Sequence, residues 1–223
     1  MMGIAFLPIE IDAQLPNEAR LLDFCNQNKM PDDHGHYWNT VPVLTRAPAG
    51  YVHNKKSSTN LMNNRYNAGL GVPQYVNNID KEFPEIPYML EQLPFKELTL
   101  VVIFQQIKTV EYHIDGLSGD IILDPSEVSL DLEPRRYNIL LTKHEYRDCF
   151  FVSDKIDGNK YYTNITRETP CHVVTDRLYP HGADYRGPNK LMLAVLGGIL
   201  DREKHLKMIQ QNLEKYREQA ILF

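Results

Sequence analysis

From Leu98 to about Leu200 the chain is a succession of short apolar runs, rich in β-branched and aromatic residues and parted by clusters of Gly, Pro, Asp and Asn. Runs of this kind predict strands. Eight are predicted: Leu98 to Gln105, Thr109 to Ile114, Tyr137 to Thr142, Cys149 to Ser153, Lys160 to Asn164, Cys171 to Thr175, Leu178 to Gly182 and Lys190 to Leu196. Strand following strand, with turn signals between, indicates a sandwich, barrel or jelly roll rather than βαβ units. Helical spacing occurs at the flanks. Ala19, Leu21, Leu22 and Cys25 predict a surface helix over 17–28, and a short helix fits Glu85 to Gln92 between prolines. A long C-terminal helix is predicted from Asp201 to Ile221, where Leu206, Ile209, Leu213, Tyr216 and Ala220 recur every three or four residues. The apolar start before Glu10 reads as a first strand. Between Met30 and Asp80 neither period is clear, and the segment reads as loop-rich, its Tyr37, Trp38, Tyr51, Tyr66 and Tyr75 arguing for order.

Length then bounds the organisation. A chain of 223 residues fits one domain with its own core, here divided into an N-terminal helix and loop-rich region (1–95), a β core (96–200) and a C-terminal helix (201–223). Hydrophobic residues make up 43% and charged residues 24%, the balance of an ordered globular protein. A net charge of −5 disfavours a polyanionic partner overall; only Arg46, His53, Lys55, Lys56 and Arg65, set among Tyr and Asn, hint at contact with nucleic acid. The three cysteines, Cys25, Cys149 and Cys171, show no CxxC spacing and fit neither a disulfide framework nor a structural zinc site, so a reducing cytoplasm is expected. No apolar run reaches the ~20 residues that cross a bilayer.

The candidate chemistry sits on the predicted strands. In Glu111-Tyr112-His113-Ile114-Asp115-Gly116, His113 and Asp115 are two residues apart, so both point to one face and can share a metal. His181, in Tyr179-Pro180-His181-Gly182, closes a two-histidine, one-carboxylate set, with His172 as its rival. That donor set occupies one face of an octahedron and leaves the opposite positions open, the arrangement of non-haem Fe(II) oxygenases. Two basic residues, Lys190 at the start of the last strand and Arg136 in Arg136-Tyr137-Asn138, are candidates to hold a carboxylate; Arg136 and Asn138 would share a strand face opposite Tyr137, Ile139 and Leu141.

Together, HxD, RxN and PHG followed by a basic residue and an apolar strand resemble the 2-oxoglutarate-dependent oxygenases, and within them the aspartyl/asparaginyl β-hydroxylases. The resemblance covers Leu98 to Asp201, most specifically Val174 to His181 and the Arg136-x-Asn138 pair. It implies a double-stranded β-helix of the jelly-roll or cupin kind. It implies Fe(II) on His113, Asp115 and His181, with 2-oxoglutarate held by Arg136, beside Asn138, and by a basic residue of the last strand. The products would be a hydroxylated amino acid or peptidyl side chain, succinate and carbon dioxide. The chain departs from the pattern at Asn138, where the family often has His, and at Lys190, where it often has Arg; the second departure leaves Lys190 and Arg186 as alternatives. Other readings are a cupin-type metal enzyme that does not use 2-oxoglutarate and a non-catalytic jelly-roll binding module.

Overall fold

The computed structural model describes residues 3–31, 37–47, 72–115, 134–142, 149–187 and 190–223. Its elements, in chain order, are β1 (Ile4–Ile9), α1 (Glu18–Asn28), β2 (Met30–Pro31), β3 (Trp38–Ala47), β4 (Val72–Tyr75), α2 (Ile79–Glu82), α3 (Glu85–Gln92), β5 (Phe95–Gln106), β6 (Val110–His113), β7 (Arg136–Leu140), β8 (Phe150–Val152), β9 (Tyr161–Tyr162), β10 (Cys171–Val174), β11 (His181–Ala183), β12 (Leu191–Leu200), α4 (Arg202–Lys215) and β13 (Ile221–Leu222). The chain is mainly β, and each of the eight predicted runs overlaps a strand.

The strands form two antiparallel sheets. The larger runs β13-β1-β10-β7-β12-β5-β3-β2, with β4 also paired to β3, and the smaller runs β6-β11-β8-β9. From β5 onward the chain shuttles between them: β5, β7, β10 and β12 belong to the larger sheet, while β6, β8, β9 and β11 belong to the smaller.

Period-two alternation sorts the side chains of the larger sheet into two layers. Tyr137, Ile139, Leu141, Val173, Leu191, Leu193 and Val195 join one core, packed against Leu21, Phe24, Cys25, Ile86, Met89 and Ile209 of the helices. Their neighbours Leu140, Val174 and Met192 join a second core with Val110, Cys149, Val152 and Ala183 of the smaller sheet. The central strands are buried on both faces, which is why β12 reads as a nearly continuous apolar run.

Several elements differ from the sequence expectation. The stretch read as loop-rich contains β3, whose backbone pairs with β5 from Trp38↔Gln106 to Thr45↔Leu100. Pro42 lies where that register shifts, a bulge at which a missing N–H is tolerated. The C-terminal helix is shorter than expected: it has 14 residues, is capped by Asp201 accepting from the Lys204 N–H, and ends at Lys215. Ile221 and Leu222 pair instead with the edge of β1, and Gly3 and Phe223 exchange backbone hydrogen bonds. Helical periodicity continued to Ile221, but an open strand edge offered those residues ladder partners. The strand predicted from Leu178 begins only at His181, after a turn in which the Tyr179 N–H donates to Thr175 O. Among the described residues no helix is long and apolar enough to cross a membrane. Tyr51, Tyr66, His53, Lys55, Lys56 and Arg65 lie outside the described residues, as does the Arg46 side chain.

The helical layer is joined to the sheet by a polar contact. Tyr137 Oη lies 2.8 Å from His205 Nδ1, and both side chains are fully buried. Burial first, then the positive Arg135 and Arg202, lower the His205 pKa to about 4. Because the folded value lies below the ordinary 6.5, the unfolded chain binds the proton more readily, and stability is lost as pH falls from about 6.5 to about 4. Urea midpoints measured across that window should fall more steeply for the parent than for His205→Asn, which keeps an acceptor for Tyr137 but does not titrate. Equal slopes would show that His205 is not part of the acid response.

Candidate metal centre

His113 ends β6 and His181 begins β11, and the two are register partners on adjacent antiparallel strands. Their ring centroids lie 4.2 Å apart. Gly182 follows because β11 runs close between its neighbours: a Cβ there would meet Val110 O and Phe151 Cζ, each at 2.5 Å. Asp115 lies just beyond β6, where its N–H donates to Asp176 O at 2.9 Å and so ties the turn to the end of β10. Its carboxylate faces both rings, with Oδ1 3.4 Å from His113 Nε2 and Oδ2 3.8 Å from His181 Nε2. One donor atom from each of the three lies within 4.8 Å of the others. Cis ligands on a metal with bonds of about 2.1 Å are roughly 3 Å apart, so a small inward rotation of the side chains suffices.

Hydrogen bonds set the tautomers. His113 Nδ1 lies 2.9 Å from Glu111 O, and His181 Nδ1 lies 3.3 Å from Tyr179 O. A carbonyl only accepts, so each Nδ1 carries a proton and Nε2 is the ring nitrogen that faces Asp115, as in ligand histidines oriented by an outer partner. Burial, and then the positive charge of His113, lower His181 to about 4 and keep it neutral at pH 7. Burial acts the same way on His113, but its hydrogen bond and attraction to Asp115 outweigh this and raise it. For Asp115, burial opposes ionisation, while Arg136 and the two histidines hold it well below the usual carboxylate range. Once the Nε2 proton that binds His113 to Asp115 is released, the set offers two imidazole nitrogens and an ionised carboxylate, so metal uptake would be coupled to loss of that proton. The His113 side chain is 40% exposed and that of His181 is 9%, so the centre opens to solvent on the β6 side.

The other predicted residues separate into three places. Arg136, at the start of β7, donates through Nη2 to Asp115 Oδ2 at 2.6 Å and approaches Asp176 Oδ2 at 2.9 Å. Arg136, expected to hold an incoming carboxylate, has its guanidinium on two carboxylates of the chain itself. Asn138 Nδ2 lies 3.2 Å from His172 Nε2. That contact, deeper between the sheets, accounts for the rival histidine standing outside the triad. Lys190 is 2% exposed and donates from Nζ to Cys149 Sγ at 3.2 Å. Its charge reaches His172, whose pKa burial and Lys190 lower to about 3. Burial lowers the Lys190 pKa as well, against a smaller upward pull from Cys149. Arg186 is exposed, and its charge acts on Asp184 and Tyr162.

Phe150 stands between these groups, its ring 5.7 Å from that of His172 and 5.9 Å from that of His181. Neither Phe150 nor Asp176 was singled out from sequence. The available signal for Asp176 was its place two residues beyond Val174, the register partner of Arg136, and it required knowing the β7–β10 pairing. No family model, no curated protein and no solved structure matches this chain.

Proposed function

We propose that the protein is an Fe(II)- and 2-oxoglutarate-dependent oxygenase built on a double-stranded β-helix, hydroxylating an amino acid or peptidyl side chain. The observation that carries this reading is the convergence of His113, Asp115 and His181 on paired strands, with both Nε2 atoms turned toward one carboxylate. Two histidines and a carboxylate with open positions are the donor set of non-haem Fe(II) oxygenases. The alternation of β5 to β12 between two sheets, in the orders β10-β7-β12-β5 and β6-β11-β8-β9, supports the double-stranded β-helix.

With both bound, Fe(II) and 2-oxoglutarate supply the oxidising chemistry that hydroxylates a C–H bond and releases succinate and carbon dioxide. The residues of this chain bind and orient. His113, Asp115 and His181 would hold the metal. Lys190, buried between the sheets, supplies the positive charge for the far carboxylate of the co-substrate, and a carboxylate there would offset the penalty that burial places on its ammonium. Phe150 and the apolar side chains between the sheets exclude water from the inner side of the centre. The prime substrate approaches past His113, the more open of the two histidines.

The test is succinate production by the purified chain, supplied anaerobically with Fe(II) and 2-oxoglutarate and then exposed to air, first without and then with candidate amino acids and peptides. Succinate above the metal-free control supports the reading. A chain that takes up metal yet yields no succinate with any candidate, and no 2-oxoglutarate binding by calorimetry, would overturn it in favour of a metal enzyme of another kind.

A further inference from the structure

Arg136 and Asp176 are placed as a unit around one oxygen of Asp115. Arg136 Nη2 donates to Asp115 Oδ2 at 2.6 Å and stands 2.9 Å from Asp176 Oδ2. The side chains are largely withdrawn from water, at 19% exposure for Arg136, 28% for Asp115 and 11% for Asp176. The backbones are joined too, through Asp115 N–H and Asp176 O. Asp115 is thus held at both its main chain and its carboxylate. Its two oxygens are unequal: Oδ2 accepts from the guanidinium at 2.6 Å and lies 3.8 Å from His181 Nε2, while Oδ1, which Arg136 does not engage, faces His113 Nε2 at the shorter 3.4 Å.

We propose that Arg136 and Asp176 form a clamp that makes Asp115 a one-oxygen metal ligand, with Arg136 a positioning residue rather than a grip for the co-substrate. This rests on the metal reading of the triad. An oxygen engaged in a short, charge-assisted hydrogen bond has given its electron density to the donor, so Oδ1 is the better metal ligand. The coordination arithmetic gives the clamp its purpose. Two imidazoles and one oxygen leave three positions of an octahedron, enough for a chelating 2-oxo acid and dioxygen. A carboxylate bound through both oxygens takes a fourth position and leaves two, too few for both. Asp176 completes the device by fixing the long Arg136 side chain against Asp115; without it, the guanidinium could swing to any incoming carboxylate. Arg suits the role because its planar fork can serve two carboxylates at once, which a lysine ammonium does less rigidly.

The experiment uses the full chain loaded with Mn(II) alone, so that neither turnover nor co-substrate enters the readout. Water-proton relaxivity per bound Mn(II) counts the exchangeable waters in the open positions. Three waters are expected in the parent and two once Asp115 chelates, so relaxivity should fall by about a third in Arg136→Met and in the isosteric Asp176→Asn. The two variants fail independently if one is poorly folded, and circular dichroism reports which is intact. Parent-like relaxivity in either intact variant overturns the clamp. A parent chain that takes up no Mn(II) overturns the metal reading instead, so the two failures are distinguishable.

Discussion

Asp115→Asn and His181→Ala should each abolish Fe(II) binding and turnover, while the metal-free proteins still fold with reduced stability. Loss of a ligand should exceed the 10–100-fold penalty typical of outer partners, because in the proposed centre three protein donors would be the whole attachment of the metal. Stability responds differently for a local electrostatic reason. Asp115 and Asp176 both lie on Arg136, with Arg177 also acting on Asp176, and burial pushes the Asp176 carboxyl up, the neighbouring Asp115 adding to the rise against the pull of the two arginines. Asp115→Asn loses the attraction of Arg136 and the two histidines that holds Asp115 ionised, and relief of the neighbouring Asp176 offsets only part of that loss. The checks are equilibrium dialysis with Fe(II) under anaerobic conditions and thermal unfolding of the metal-free proteins. Retained iron in His181→Ala would mean that His172 or another group is the ligand, although the contact of His172 with Asn138 argues against it.

The second large effect is expected at Lys190. Lys190→Met should weaken 2-oxoglutarate binding by 2–5 kcal/mol, roughly thirtyfold to several thousandfold in Kd, since a desolvated carboxylate would lose its charged partner. Metal affinity should stay near the parent value. Methionine fills most of the same volume and carries no charge to bury, so the variant should fold at least as well. Arg186→Ala is the control: that residue is exposed and acts on Asp184 and Tyr162, so it should leave co-substrate affinity unchanged. Calorimetric titration of the Mn(II)-loaded proteins separates the two. An unchanged Kd in Lys190→Met would remove Lys190 from the co-substrate site.

Much of the β core was legible because its signals are local. Short apolar, β-branched runs such as Cys171 to Val174, with glycine, proline and aspartate between them, mark strands without knowledge of their partners. The HxD spacing likewise puts His113 and Asp115 on one side, and the run carrying His181 could be recognised as a later strand. What was not legible depends on pairing across long stretches of chain. β3 is polar at both ends and interrupted by Pro42, and it is a strand because β5 is beside it. Ile221 and Leu222 follow the helical period yet lie on the edge of β1. Arg136 could be assigned to a face, but its partners could not: Asp115 and Asp176 reach it from two different turns.

The contact between Tyr137 and His205 has a meaning for heredity as well as for folding. Tyr137 separates Arg136 from Asn138 on a five-residue strand, so whatever holds it to α4 also decides which way its two neighbours point. A slip of one residue would turn Arg136 and Asn138 toward the helices and Tyr137 toward the metal ligands. The back of the sheet thus carries information about the front. A random-mutation screen for loss of metal binding should return substitutions in α4, around His205, that touch neither metal nor substrate, and second-site revertants of damage at Arg136 should be sought in that same helix.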